Sequence, residues 1–88
     1  MLYFLQEIEP PHRIKIGFSL NPAKRIAVWS ASLPQRLQVL KIIPGDREDE
    51  SWLHVHWKEF RVEGTREWYY PFPELLDYID VENVKFSA

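Results

Sequence analysis

Prolines and glycines cut the chain into short segments whose apolar positions repeat with different periods. Leu2 to Ile8 is dense in aromatic and branched residues and predicts a strand. Glu9-Pro10-Pro11-His12 predicts a turn, because neither proline can donate to a ladder. Arg13-Ile14-Lys15-Ile16 alternates polar and apolar side chains as a half-buried strand does, and Gly17 closes it. Together these segments predict a hairpin. Asn21-Pro22 is a helix start, with Asn capping and Pro at the first helical position. That helix should run to about Ser32 and stop at Leu33-Pro34. Leu37 to Ile43 predicts a third strand, ended by Pro44-Gly45. Asp46-Arg47-Glu48-Asp49 opens a second helix with its acids in the first turn, where the helix dipole favours them. Leu53, Trp57 and Phe60 line one side of that helix, which is expected to end near Arg61. Glu67 to Tyr70 reads as a short extended or loop segment, and Pro73 to Ile79 as a last helix approached through Pro71. The order strand, strand, helix, strand, helix, helix predicts a small α+β fold: a mostly antiparallel sheet with helices against it.

With 88 residues the chain has room for one domain, 1–88, with a core at 2–79 and a C-terminal tail at 80–88. Four Trp, four Tyr and five Phe supply enough buried area for a small core and exclude a disordered segment. The absence of Cys removes disulfide frameworks and thiolate chemistry and suits a cytoplasmic location. The apolar start meets Glu7 and Glu9 at once and has no basic flank, so neither a signal peptide nor a membrane partner is expected. Net charge is −2, which by itself speaks against nucleic acid, but the distribution is polarised. Residues 1–44 carry six basic and two acidic side chains, whereas residues 45–88 carry five basic and eleven acidic. Such a chain can hold a basic face for phosphate and an acidic cluster for a metal ion, although solvated scatter would give the same count.

Glu50 and His54, four residues apart on the second helix, share a face at the edge of the Leu53/Trp57 stripe. There a carboxylate can bind a divalent cation and an imidazole can exchange protons. Spacing alone favours an ordinary helical Glu–His hydrogen bond. On the first helix, Ala23, Ile26, Ala27 and Ser30 form a small apolar face, with Arg25 and Trp29 on roughly the opposite side. Arg25 and Trp29 could hold a phosphate and stack on a base, or Trp29 could pack into the core beneath Arg25; the two readings are level. A zinc site from His54 and His56 is rejected, since residues two apart on a helix diverge and too few ligands remain. Trp68-Tyr69-Tyr70 reads as hydrophobic filling with exposed edges.

Taken in order, these segments resemble the GIY-YIG nuclease superfamily. Leu2-Tyr3-Phe4 and Ile14-Lys15-Ile16-Gly17 are similar to its two name-giving strand motifs, Arg25 to the arginine of its first helix, and Glu50-Ser51-Trp52-Leu53-His54 to its E-x-x-L helix. Pro44-Gly45 and Arg66-Glu67-Trp68-Tyr69 resemble a short branch of meiotically up-regulated gene type, common in phages and prokaryotes. The resemblance covers Leu2 to about Ile79. It implies a central three-stranded antiparallel sheet flanked by helices, and metal-dependent endonuclease chemistry on DNA. Mg²⁺ or Mn²⁺ would be held by Glu50, Arg25 would neutralise the scissile phosphate, and Tyr3 would orient or deprotonate water unless the register gives that place to Phe4. Lys15, where many members have Tyr, would bind phosphate or act as a base, and His54 would be a second proton-transfer group. Arg13, Lys24, Trp29 and Arg36 would contact nucleic acid. The terminal Asn of the superfamily has no counterpart; Glu67 either replaces it or pairs with Arg66. A catalytically inactive module that binds nucleic acid or a protein, as in phage–host conflict, is the competing reading. A homodimer through Trp29, Trp52 and the Tyr69-Tyr70 edge, or another protein partner supplying specificity, would also fit.

Overall fold

The computed structural model describes residues 1–80; the remainder of the expected tail lies outside the described residues. Strands β1 (Leu2–Glu7) and β2 (Ile14–Phe18) form the expected hairpin, followed by α1 (Pro22–Ser32), β3 (Leu37–Ile43), α2 (Arg47–His56), β4 (Trp68–Tyr69) and α3 (Pro73–Ile79). The sheet is antiparallel throughout, in the order β3-β1-β2-β4. It therefore has four strands where three were expected. The additional strand is only two residues long, too short to show a period in the sequence, and it pairs with Ile14 and Lys15.

Alternation along the strands divides the sheet between two layers. Leu2, Phe4, Ile14, Ile16 and Leu40 join Leu53 and Trp57 of α2, and Leu75 and Ile79 of α3, in the main core. Aromatic edges lock this side: Trp57 meets Phe72 at 80° and Tyr78 at 82°, contacts of about 0.5–1.5 kcal/mol each beyond their buried area. Tyr3 and Leu5, both buried, lie on the opposite face, beneath α1. A register shift between Phe4 and Leu5 in the β1–β3 pairing leaves an extra residue in β3.

Both large helices start as their sequences require. Asn21 accepts from the Lys24 N–H, with Pro22 at the first helical position. Asp46 and Asp49 cap α2 reciprocally, each side chain accepting from the other's backbone N–H. One open question is decided and one expectation is corrected. α1 turns Pro22, Ile26, Trp29 and Leu33 toward the sheet, while Ala23, Ala27 and Ser30 are exposed, because a large indole and isobutyl group bury more area than alanines do. α2 ends at His56, not near Arg61. A 3-10 turn, Lys58–Phe60, follows it and carries Arg61 into a bridge with Tyr69, leaving Phe60 exposed but stacked on Phe72.

Candidate metal and phosphate cleft

The site forms where the sheet runs out. Because β4 pairs only with Ile14 and Lys15, the outer edge of β2 beyond them has no neighbouring strand among the described residues; the Glu67 carbonyl follows, accepting from the Ile16 N–H. Side chains from both layers meet at this gap. Lys15 reaches it from the α1 side, Glu50 and His54 from α2, and Glu67 from the segment entering β4. They line a cleft of about 560 Å³ with Ser51, Val55, Arg61, Arg66 and Trp68. The turn that delivers Arg66 and Glu67 passes through Gly64 at φ 79°, a conformation that costs other residues about 1–2 kcal/mol.

Lys15 Nζ donates to Glu67 Oε2 at 2.7 Å, lies 4.3 Å from the Trp29 ring centroid and 5.3 Å from that of Trp68. The ammonium is thus held by one carboxylate and two indole faces, each cation–π contact worth about 0.5–2 kcal/mol. Glu67 therefore pairs with Lys15, not with Arg66. His54 stacks on Tyr69 and shares a hydrogen bond between its Nδ1 and the Tyr69 hydroxyl. Its Nε2 is buried, 3.9 Å from Glu50 Oε2, and makes no hydrogen bond of sound geometry among the described residues, although the Ile16 carbonyl lies close enough to the ring to favour its protonated form. Each of Glu50, His54 and Glu67 offers a ligand atom, all within 4.8 Å of one another, a spacing that one cation can draw together.

Electrostatics reflect this crowding. Burial, and then the Glu67 charge, push the Glu50 carboxyl above its ordinary pKa. Burial holds the His54 imidazolium below its ordinary value, against an upward pull from Glu67 and the Ile16 carbonyl, so the ring is neutral at pH 7. Burial raises the Tyr69 phenol to about 12, so it stays a neutral hydroxyl that can accept from the His54 Nδ1–H.

The remaining expected site residues separate. Tyr3, opposite Gly17, lies on the Lys15 face of the sheet, whereas Phe4 is in the core. The Tyr3 hydroxyl accepts from Trp29 Nε1 at 2.8 Å, and the residue is only 2% exposed. Burial raises its pKa, with smaller influences from Glu67, Arg25 and Glu50. It is placed to orient Trp29, and through that ring Lys15, more directly than to hold water. Trp29 is accordingly neither a free base platform nor a core residue. Arg25 is exposed and lines a separate pocket with Ser19, Asn21, Lys24 and Val28, and is not part of the cleft wall. Arg13 is bound by Glu7 through both guanidinium and backbone N–H, and Arg36 pairs with Glu9, so each of these two cations already has a carboxylate partner. His56 turns away to Glu74 and Trp52, the divergence expected of helical spacing. Arg61 joins the cleft without having been singled out in the sequence; only the 3-10 turn brings it there.

Comparison with protein families matches residues 1–85 to the T5orf172 domain. The chain belongs to the T5orf172 domain family. This is a phage-associated domain related to nuclease-like folds. The comparisons with curated proteins and with solved structures return no match. No helix among the described residues of the T5orf172 domain is long and apolar enough to cross a membrane.

Proposed function

We propose that this T5orf172 domain is a divalent-metal-dependent endonuclease of GIY-YIG type acting on DNA. One observation carries the reading: a carboxylate–imidazole–carboxylate cluster lies in the same cleft as Lys15, Arg61 and Arg66. Phosphodiester hydrolysis needs that pairing, because charge builds on the leaving oxygen and the non-bridging oxygens together. Glu50 fits a cation well, since its carboxylate is half-buried beside a like charge and a cation would relieve both strains. When bound, Mg²⁺ or Mn²⁺ supplies Lewis-acid stabilisation of the scissile phosphate. Arg61 and Arg66 hold the backbone along the cleft mouth, and Arg25 contributes positive potential from its flank. Lys15, fixed by Glu67 and two indoles, presents an ammonium to a phosphate oxygen. A neutral His54 has a lone pair at Nε2 and can take a proton or a ligand there.

The alternative, a binding module without catalysis, draws on the net charge of −2 and on the prior engagement of Lys15 by Glu67. Incubation of the full chain with single- and double-stranded DNA, with Mg²⁺, Mn²⁺ or chelator, separates the two. Metal-dependent product supports the nuclease. DNA retention without product, unaffected by chelator, supports the binding module.

A further inference from the structure

We infer that the cleft is a three-ligand site built for a transition-metal ion, in which His54 Nε2 and Glu67 bind the cation together with Glu50. The inference deepens the proposed nuclease reading and rests on it only in locating the metal in this cleft. Its first support is chemical. A buried imidazole nitrogen without a hydrogen bond loses about 1–3 kcal/mol relative to a satisfied one, and His54 Nε2 is such an atom. It faces the Glu50 carboxylate at 3.9 Å, too long for a hydrogen bond and close to the separation of two ligands on one ion. Metal–ligand bonds of about 2.0–2.2 Å place neighbouring ligand atoms roughly 3–4 Å apart. The cluster, at 4.8 Å or less, needs only a small side-chain contraction.

The second support is the way each ligand is held. A metal-binding His characteristically engages its other nitrogen in a hydrogen bond that fixes tautomer and ring plane. His54 does so through Nδ1 and the Tyr69 hydroxyl, and the stacked Tyr69 ring removes its remaining freedom. Glu67 is fixed in the same manner by Lys15 on Oε2. Both supporting groups belong to this chain's own framework: Tyr69 in β4 and Lys15 in β2, paired strands at the sheet's end. Three protein ligands leave open positions for water and a phosphate oxygen, the pattern of catalytic rather than closed structural sites.

Ligand type then selects the ion. Mg²⁺ prefers all-oxygen octahedral surroundings, whereas an imidazole nitrogen suits Mn²⁺ less well than Zn²⁺ but better than it suits Mg²⁺. The site should therefore discriminate against Mg²⁺.

The test is binding by the metal-free full chain. Mn²⁺ is titrated while the free-ion electron paramagnetic resonance signal is followed, with Mg²⁺ and Zn²⁺ as competitors, and echo modulation of the bound ion is recorded. We expect one Mn²⁺ per chain with modulation from an imidazole nitrogen, displaced by less Zn²⁺ and by at least tenfold more Mg²⁺. Outer-shell losses weaken metal sites by about 10–100-fold, and loss of a direct ligand should do no less. Glu67→Gln should therefore weaken Mn²⁺ at least about tenfold with the nitrogen modulation retained, and His54→Ala should abolish the modulation. Glu67→Gln keeps a hydrogen bond to Lys15 and serves if His54→Ala fails to fold. Mn²⁺ bound without nitrogen modulation, or with affinity indifferent to Glu67→Gln, overturns the three-ligand site while leaving Glu50 as metal holder and the nuclease reading intact. Failure of Mn²⁺ and Zn²⁺ to bind at millimolar concentration overturns both.

Discussion

Gly17 sets the geometry of the Tyr3–Trp29–Lys15 array, and Gly17→Ala is the sharpest structural test of it. The two strands pair Tyr3 directly with Gly17, and the tyrosine ring lies across the glycine. A Cβ at position 17 would stand 2.2 Å from Tyr3 Cζ, 2.3 Å from its hydroxyl oxygen and 2.8 Å from Cε1. Those separations are far below van der Waals contact, and the ring is buried and hydrogen-bonded to Trp29, so it cannot swing into solvent without losing that bond. Overpacking of this kind costs about 1–3 kcal/mol. Moving the ring also breaks the hydrogen bond from Trp29, which is worth about 0.5–1.5 kcal/mol. The expected loss is therefore about 2–4 kcal/mol. For a chain of this size, each kcal/mol shifts Tm by roughly 4–8 °C. Urea denaturation followed by tryptophan fluorescence measures the loss. A cycle with Tyr3→Leu assigns it: with the ring shortened, Gly17→Ala should become nearly neutral, giving a coupling above 1 kcal/mol. A Gly17→Ala loss under about 0.5 kcal/mol, or an undiminished loss in the Tyr3→Leu background, would refute the claim that ring and glycine share this space.

Other outcomes follow from the buried charges. Glu7 is buried yet holds its proton below the usual carboxylate range; burial opposes this, and the hydrogen bonds from the Arg13 side chain and backbone outweigh it. A depressed folded-state pKa stabilises above the unfolded value and ceases to do so as pH falls through the folded one. Glu7→Gln should therefore lose about 2–3 kcal/mol at pH 7, with the difference from wild type shrinking in acid, as thermal melts across pH 3–7 would show. Glu50 has the opposite sign: its raised pKa favours the folded state at low pH and that benefit is lost as pH rises through the folded value. Glu50→Gln should thus raise the Tm of the metal-free chain at pH 7, have little effect at pH 4, and abolish stabilisation by added Mn²⁺. In spectrophotometric titration of the folded chain, Tyr69 should ionise only at about pH 12.

Much of the architecture was legible because local signals and tertiary demands agree. Asn21-Pro22, Asp46 with Asp49, and the proline-bounded Leu37–Ile43 each mark an element by backbone chemistry that no packing partner alters. β4 was legible only as a short extended or loop segment, since two residues carry no period and its place in the sheet depends on pairing with β2. The inward face of α1 was left open for a related reason. Ala23, Ala27 and Ser30 look like a contact stripe by size, but the sheet below offers Tyr3 and Lys15, which call for the Trp29 indole. At the site, the i, i+4 spacing of Glu50 and His54 correctly placed them side by side at the edge of the core. The place of Glu67 was open in the sequence, because its partner Lys15 is 52 residues away and the two meet only through the sheet.

Nicking of supercoiled plasmid by the full chain, compared with Glu50→Ala and Arg25→Ala, tests the central claim most directly. Circular dichroism should show all three proteins folded, since Glu50 lies at the rim of the core and Arg25 is exposed. With Mg²⁺ or Mn²⁺ the wild type is predicted to convert supercoiled to open-circular DNA. Glu50→Ala should slow this by about 10²–10³, the usual loss for one electrostatic group acting on a developing charge, and Arg25→Ala, which acts from outside the cleft wall, should slow it by less. Cleavage at the wild-type rate by both variants would assign the activity to another site. No cleavage by the wild type on any substrate with any of these metals would contradict the nuclease outright.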